Sequence, residues 1–168
     1  MSAKVFDSDA SLDERRVIIR RDGGDVEMAE LPWGLQPSEV GGRPFTVVRA
    51  EGRTFPSHRC LVPASEFRHR SRGKAYSFSL ADGDWFYFAG VWRPATRDWP
   101  EAYAILTIEA NDDVAPFHDR QMAVLRRDQR MAWLDRTCLE EELLRPLPAG
   151  TFVVSQPREA YGQAALAF

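Results

Sequence analysis

The stretch Ala75-Tyr-Ser-Phe-Ser-Leu-Ala-Asp-Gly-Asp-Trp-Phe-Tyr-Phe-Ala-Gly-Val-Trp92 decides the fold class. Ala75 to Leu80 alternates larger apolar with small polar residues, the period of a half-buried strand. Trp85 to Trp92 is almost continuously apolar and aromatic, as a buried strand would be. Between them Ala81-Asp-Gly-Asp84 carries strong turn chemistry, so the reading is a β-hairpin.

The flanking sequence repeats the theme. Val17 to Arg20 and Val26 to Leu31 are separated by Asp22-Gly-Gly-Asp25, a second hairpin signal. Phe45 to Arg49, His58 to Val62, Phe67 to Arg70, Ala102 to Ile108, Met122 to Leu125 and Thr151 to Val154 are further short strands. Pro63 marks a bend or bulge. Only Asp128 to Asp135 and Leu139 to Leu144 have helical character, the second opened by the acidic turn Glu140 to Glu142. The expected fold is α+β, mostly β: a single-domain, barrel-like mixed sheet over residues 1–168 with a few short helices, the barrel closed or nearly so.

Composition sets outer limits. The chain has 168 residues, 44% hydrophobic and 28% charged, which suits one ordinary globular domain. With 22 Lys+Arg against 25 Asp+Glu the formal charge is −3, so bulk charge does not drive nucleic-acid binding. Two cysteines, Cys60 and Cys138, fit a reduced, cytoplasmic setting better than a disulfide framework. No export signal or spanning apolar run is visible, so no membrane association is expected.

Chemistry concentrates in Ala110-Asn-Asp-Asp-Val-Ala-Pro-Phe-His-Asp-Arg-Gln-Met-Ala-Val-Leu125. Between two apolar runs, His118, Asp119 and Arg120 place an imidazole, a carboxylate and a guanidinium side by side. Such groups shuttle a proton, orient its carrier and hold an anion. A solvated turn is the plain alternative.

A local basic stretch offsets the acidic whole: Arg49, Arg53, Arg59, Arg68, Arg70, Arg72 and Lys74 against Glu51 and Glu66. Arg68, Arg70 and Arg72 share a parity and are expected on one strand face, where phosphates could meet them. Trp33, Phe67 and Trp92 flank the stretch as stacking surfaces or as core. The three histidines, His58, His69 and His118, show no metal-ligand spacing. Neither a G-x-S-x-G elbow nor a glycine-rich phosphate loop is found, and no cofactor or metal is expected.

Seven ordered blocks carry a family resemblance: Trp33-Gly-Leu35, Arg49-Ala-Glu51, His58-Arg-Cys-Leu-Val-Pro-Ala-Ser-Glu-Phe67, Phe88-Ala-Gly-Val-Trp92, Thr107-Ile-Glu-Ala-Asn111, Phe117-His-Asp-Arg-Gln-Met122 and Trp133-Leu134. The set resembles that of the SOS response-associated peptidase family. The resemblance implies a mixed, β-rich fold and recognition of abasic sites in single-stranded DNA. It also implies covalent linkage through a cysteine at position two, whose amine condenses with the sugar aldehyde and whose thiol closes a ring.

Against that pattern, position two is Ser2, a far poorer ring-closing nucleophile. The family's N-A-R-x-E reads Val47-Val-Arg-Ala-Glu51, keeping Arg49 and Glu51 but losing the asparagine. Its G-F-Y-E-W reads Glu66-Phe-Arg-His-Arg70, placing His69 at the acid/base glutamate and Arg70 at the tryptophan. His118 and Arg120 are kept. The stretch before Trp33 is short for the family.

The resemblance therefore implies a divergent branch, degenerate at the linking site, that binds single-stranded DNA, with or without abasic sites, non-covalently. Arg49, Glu51, Arg120, Arg68, Arg70 and Trp33 would hold the DNA, with the Arg49 and Arg120 guanidiniums not already paired. The alternatives are an enzyme, abasic-site lyase or peptidase-like, forming a reversible Schiff base through the Ser2 amine with His118 and His69 as acid and base, and a protein-interaction module that has left DNA behind.

Overall fold

The computed structural model describes residues 5–7 and 15–156. Among the described residues twelve strands form two sheets: β1 (Val5–Asp7), β2 (Arg15–Asp22), β3 (Asp25–Pro32), β4 (Val47–Arg49), β5 (Arg59–Ala64), β6 (Glu66–Ser71), β7 (Lys74–Leu80), β8 (Phe86–Arg93), β9 (Ala102–Glu109), β10 (Arg120–Met122), β11 (Val124–Leu125) and β12 (Phe152–Ser155). A 3₁₀ turn, Arg127–Gln129, leads into α1 (Arg130–Asp135), and α2 (Glu140–Leu143) follows. The fold is mostly β with few short helices, and no described helix is long and apolar enough to cross a membrane.

The smaller sheet runs β1-β6-β7-β12 and the larger β10-β9-β8-β5-β2-β3, with β4 also pairing β9 and β11 pairing β8. The barrel expectation is corrected here. Immediately after β3, Trp33 makes a single parallel bridge to Tyr103 of β9, and β3 itself forms no ladder with β9. The larger sheet thus curls until its ends meet at one point, and no ladder closes it.

The hairpin read across Ala81–Asp84 is also overturned. β7 pairs with β6 and β12, whereas β8 pairs with β5, β9 and β11. The turn hands the chain from one sheet to the other. The patterns themselves differ: β7 buries mainly one face, while β8 is buried at every position from Phe86 to Val91. A strand covered on both sides belongs in the middle of a layered stack. The true hairpins are β2–β3, turning at Gly23-Gly24 with φ of 60° and 101°, and β6–β7, turning at Arg72-Gly73 with φ of 51° and 77°. Both have the two positive-φ residues of a type I′ turn.

The larger sheet is the middle layer. Cys60, Val62, Phe86, Phe88, Tyr103 and Ile105 face the smaller sheet and pack with Phe67, Phe78 and Phe152. Phe67 and Phe78 stack at 5.1 Å, and Phe152 meets Phe67 edge-on at 5.3 Å. On the opposite face Leu61, Tyr87, Ala89, Ala104 and Leu106 pack with Phe55, Trp133 and Leu143. Each fully buried aromatic contributes roughly 1.5–3 kcal/mol by area removed from water. Gly90 permits the tight centre: a Cβ there would lie 2.9 Å from Cys60 Sγ and 3.0 Å from the Ala104 carbonyl oxygen. The bend expected at Pro63 falls at Ser65 instead, where the chain leaves β5 for β6 and changes sheets.

Candidate functional site

The loop between β9 and β10 is built around Asn111, which is buried. Its Oδ1 accepts from the Asp113 and Val114 amides, its Nδ2 donates to the Leu147 carbonyl, and its own amide donates to Gln121 Oε1. The Ala115 amide closes onto the Asn111 carbonyl and the His118 amide onto that of Val114. Asp113 in turn accepts from the Gly150 and Phe152 amides, pinning the loop to β12. Burial alone pushes the Asp113 carboxyl up. These amides and the Asn111 side chain outweigh it and hold the group below its ordinary value.

His118 stands at the end of this loop. The Arg120 amide donates to its Nδ1 at 3.0 Å, and Asp119 Oδ1 lies 3.4 Å from the same nitrogen. The Arg120 carbonyl oxygen also lies 2.9 Å from Nδ1, so the tautomer decides whether that nitrogen accepts from the amide or donates to the carbonyl. The ring stacks on His69, with centroids 4.7 Å apart and planes 22° from parallel. His69 is buried between Phe67 and Phe78, and its Nε2 has no hydrogen-bond partner among the described residues. Burial, reinforced by His118, pulls its pKa down to about 4.

Register explains why Arg49, Glu51 and Arg120 meet. Arg49 on β4 lies opposite Thr107 of β9, and Arg120 on β10 lies opposite Glu109 of the same strand. Alternation puts Arg49, Thr107 and Arg120 on the face of β9 that Ile105 turns toward the smaller sheet. Arg120 Nη1 donates to Glu51 Oε2 at 2.7 Å and Nη2 to Oε1 at 2.8 Å, and Nη2 also reaches Thr107 Oγ1 at 3.0 Å. The Glu109 amide adds a further bond to Glu51. Arg120 above all, against opposing desolvation, draws the Glu51 carboxyl down to about 2.

Arg120 is thus already committed to a carboxylate, contrary to the expectation that it is unpaired. Arg49 is exposed and makes no ion pair among the described residues. Val47, one alternation earlier, is 41% exposed beside it and offers only methyl groups.

The remaining sequence candidates do not converge on this place. Phe67 and His69 face the core, so Arg68 and Arg70, of opposite parity on β6, lie on the other face of that sheet. Arg68 sits 3.4 Å from Glu66, and Arg72 belongs to the hairpin turn rather than to the strand. Trp33 is 4% exposed and donates from its indole to the Thr46 carbonyl, a core position with no surface for a base.

Arg59 is buried as well. Its guanidinium lies 4.2 Å over the Trp133 ring and donates to the Phe55 and Trp133 carbonyls and to Glu140. Ser2 lies outside the described residues. Asn111, Asp113 and Gln121 position the His118 loop, a role the motif blocks do not reveal even though Asn111 ends one of them. The signal was an Asn at the start of a polar loop, which commonly caps the turn that follows. Among the described residues no three His, Cys, Asp or Glu side chains gather as a metal site requires.

Two stacked β-sheets with a histidine and an arginine–glutamate fork at one rim define a β-rich protein whose polar site lies at the mouth between the layers. Its family follows from comparison. Residues 10–159 match the SOS response associated peptidase (SRAP) family, and the chain belongs to it. The abasic site processing protein YoaM of Bacillus subtilis (strain 168) is 28% identical over 149 residues, covering 77% of this chain and 66% of that protein. The abasic site processing protein YobE of the same organism is 25% identical, with 68% of its length covered. The chain therefore spans about two thirds of the length of these curated relatives. Among solved structures, a Bordetella bronchiseptica protein superposes with a TM-score of 0.70 at 21% identity over 92% of both chains. A Bacteroides thetaiotaomicron protein superposes with a TM-score of 0.69 at 20% identity, covering 90% of this chain and 77% of that one. Both establish the fold.

Proposed function

We propose that this chain is a single-domain, cytoplasmic member of the family that binds single-stranded DNA, abasic DNA included, without a lasting covalent link. The observation that carries the reading is the mixed state of the site. His118 and the Arg120–Glu51 fork keep a built geometry, while the neighbouring acid/base position holds a buried, uncharged His69 and the donor position holds Val47. A neutral imidazole walled by Phe67 and Phe78 is a poor substitute for a carboxylate that must gain and lose a proton near neutrality. Arg49 is available to a phosphate. Phe45, at an alternate position and 46% exposed, offers an apolar surface to an unstacked base.

Neither thiol supplies the missing nucleophile. Cys60 is buried in the core, where burial pushes its pKa up, and Cys138 is exposed in the α1–α2 connection. The second reading is a reversible imine formed by the Ser2 amine. The observation favouring it is the His69–His118 pair, a hydrogen-bonded and an unpartnered imidazole in contact. Intact-mass measurement after incubation with abasic single-stranded DNA, with and without borohydride, separates the two. No adduct in either arm, together with binding in a fluorescence titration, supports the non-covalent reading; an adduct trapped only by borohydride supports the imine.

A further inference from the structure

Beside α1, where β5 begins and β8 ends, a cavity of about 310 Å³ is lined by Arg21, Ser57, His58, Arg59, Trp92 and Arg136, among others. It lies away from His118. Arg59 faces the layer of α1 and Trp133, whereas its neighbour Cys60 faces the smaller sheet that carries His69.

The charge on this cavity is unbalanced. Arg59 is compensated by Glu140, and Arg21 by Asp135 through Nε, with the Gly24 carbonyl taking its Nη1. Arg136 donates one Nη1 to the Pro56 carbonyl and has no carboxylate partner among the described residues. His58 adds a further nitrogen base, its Nδ1 3.0 Å from Ser57 Oγ and its ring held edge-on against Trp92 at 4.7 Å. No acidic residue is among those that line the cavity.

The backbone supplies an independent observation. Only three non-glycine residues among those described have positive φ: His58 at 59°, Arg136 at 57° and Arg72 at 51°. Arg72 occupies a type I′ turn that demands it. The other two line this one cavity, at positions where glycine would sit without strain and where helix ends, such as that of α1 at Arg136, favour it. Strained side-chain-bearing residues gathered at one place are held for what their side chains do.

We infer that the Arg136–His58–Arg21 cavity is an anion site that takes a phosphate group, distinct from the His118 site. Arg136 supplies a guanidinium edge without a counter-charge, Arg21 supplies the Nη2 its two bonds leave over, and His58 and Ser57 supply side-chain donors. The same chemistry serves a terminal phosphate monoester and an internal phosphodiester.

The test titrates wild-type protein with inorganic phosphate at constant ionic strength, then with a 5′-phosphorylated thymidine trinucleotide and its unphosphorylated counterpart. R136G removes the charge and relieves the backbone strain together, so its melting temperature should hold or rise while phosphate affinity falls by about tenfold or more. R136Q, which keeps most of the side chain, serves if the glycine variant does not fold, and H58G should weaken binding in the same direction. Preference for inorganic phosphate and the phosphorylated trinucleotide marks a monoester site, and equal binding of both trinucleotides, lost in R136G or R136Q, marks a phosphodiester site. No binding by wild type, or binding that R136G, R136Q and H58G leave unchanged, overturns the inference.

Discussion

The imidazole rings of His69 and His118 lie in stacked contact, 4.7 Å between centroids, with His69 on the buried side. A proton added to His69 would be desolvated and would face its neighbour across that gap. Its pKa is accordingly about 4 in the folded chain, against an ordinary 6.5. Between those values the unfolded chain binds a proton that the folded chain refuses, so stability declines as pH falls from 6.5 to 4. The full loss is on the order of 3 kcal/mol. Urea denaturation across this window should show the decline in wild type and a flatter profile in H69F. Equal slopes would mean that His69 is not the group responsible.

Glu51 and Arg120 make a more exposed pair, the Glu51 side chain being 49% accessible. Screening keeps its worth to roughly 0.5–1 kcal/mol despite the two parallel bonds. The Glu51 carboxyl titrates at about 2 against an ordinary 4.5, so its contribution is complete above 4.5 and disappears as pH falls toward 2. R120M should return the Glu51 titration, followed by carboxyl NMR, most of the way to 4.5. A Glu51 that still titrates near 2 in R120M would assign the shift to the Glu109 amide instead.

Arg59 should behave as a core residue. R59M strands Glu140 and two carbonyls in a place where the guanidinium is 5% exposed, and should cost about 3–5 kcal/mol of stability. At temperatures where the variant stays folded, its DNA affinity should match wild type. A mild effect on melting with a large effect on binding would place Arg59 on a basic DNA-binding surface instead.

These residues show what could be read before folding. Strand existence was legible almost everywhere, because the Asp22–Asp25 turn and the apolar runs of β5, β8 and β9 are local signals. Which strands pair was not. Ala81–Asp84 has the chemistry of a hairpin turn, yet it crosses between sheets, and the only hint lay in the mismatch between a half-buried β7 and a doubly covered β8. The site was partly legible: the motif blocks named His118, Arg120, Glu51 and Arg49, and register brings Arg49, Thr107 and Arg120 to one face. Sequence could not say that Arg120 would spend its charge on Glu51 or that Arg59 would turn inward, since both depend on partners 69 and 81 positions away. Alternation on β6 puts His69 on the opposite face from Arg68 and Arg70, so the three do not share one site.

Abasic DNA offers the sharpest chemical test. Ring closure needs a thiolate beside the condensing amine, and the chain's two thiols are a core Cys60 and a Cys138 beyond α1. Incubation with abasic single-stranded DNA followed by heating and a denaturing gel should leave the DNA unshifted. A heat-stable band without reductant would overthrow the proposal that the covalent step is lost.

The strength and salt dependence of DNA binding follow from how few cations remain available. Seven basic residues between Arg49 and Lys74 suggest a broad phosphate track, but Arg59 is buried, Arg68 and Arg70 occupy the far face of the smaller sheet, and Arg120 is held by Glu51. Among the described residues Arg49 is left as the unpaired cation on the face that His118 borders. With about one phosphate neutralised, the slope of log affinity against log salt for a single strand should be roughly −0.7. R49A should reduce its magnitude by about 0.7 and weaken binding by roughly 1–1.5 kcal/mol with no change in melting temperature, since Arg49 supports no other group. Fluorescence titration of a labelled single strand at several salt concentrations measures both quantities. A steep slope that survives R49A would place the DNA on a different surface, and the Arg68–Arg70 face would be the first to examine.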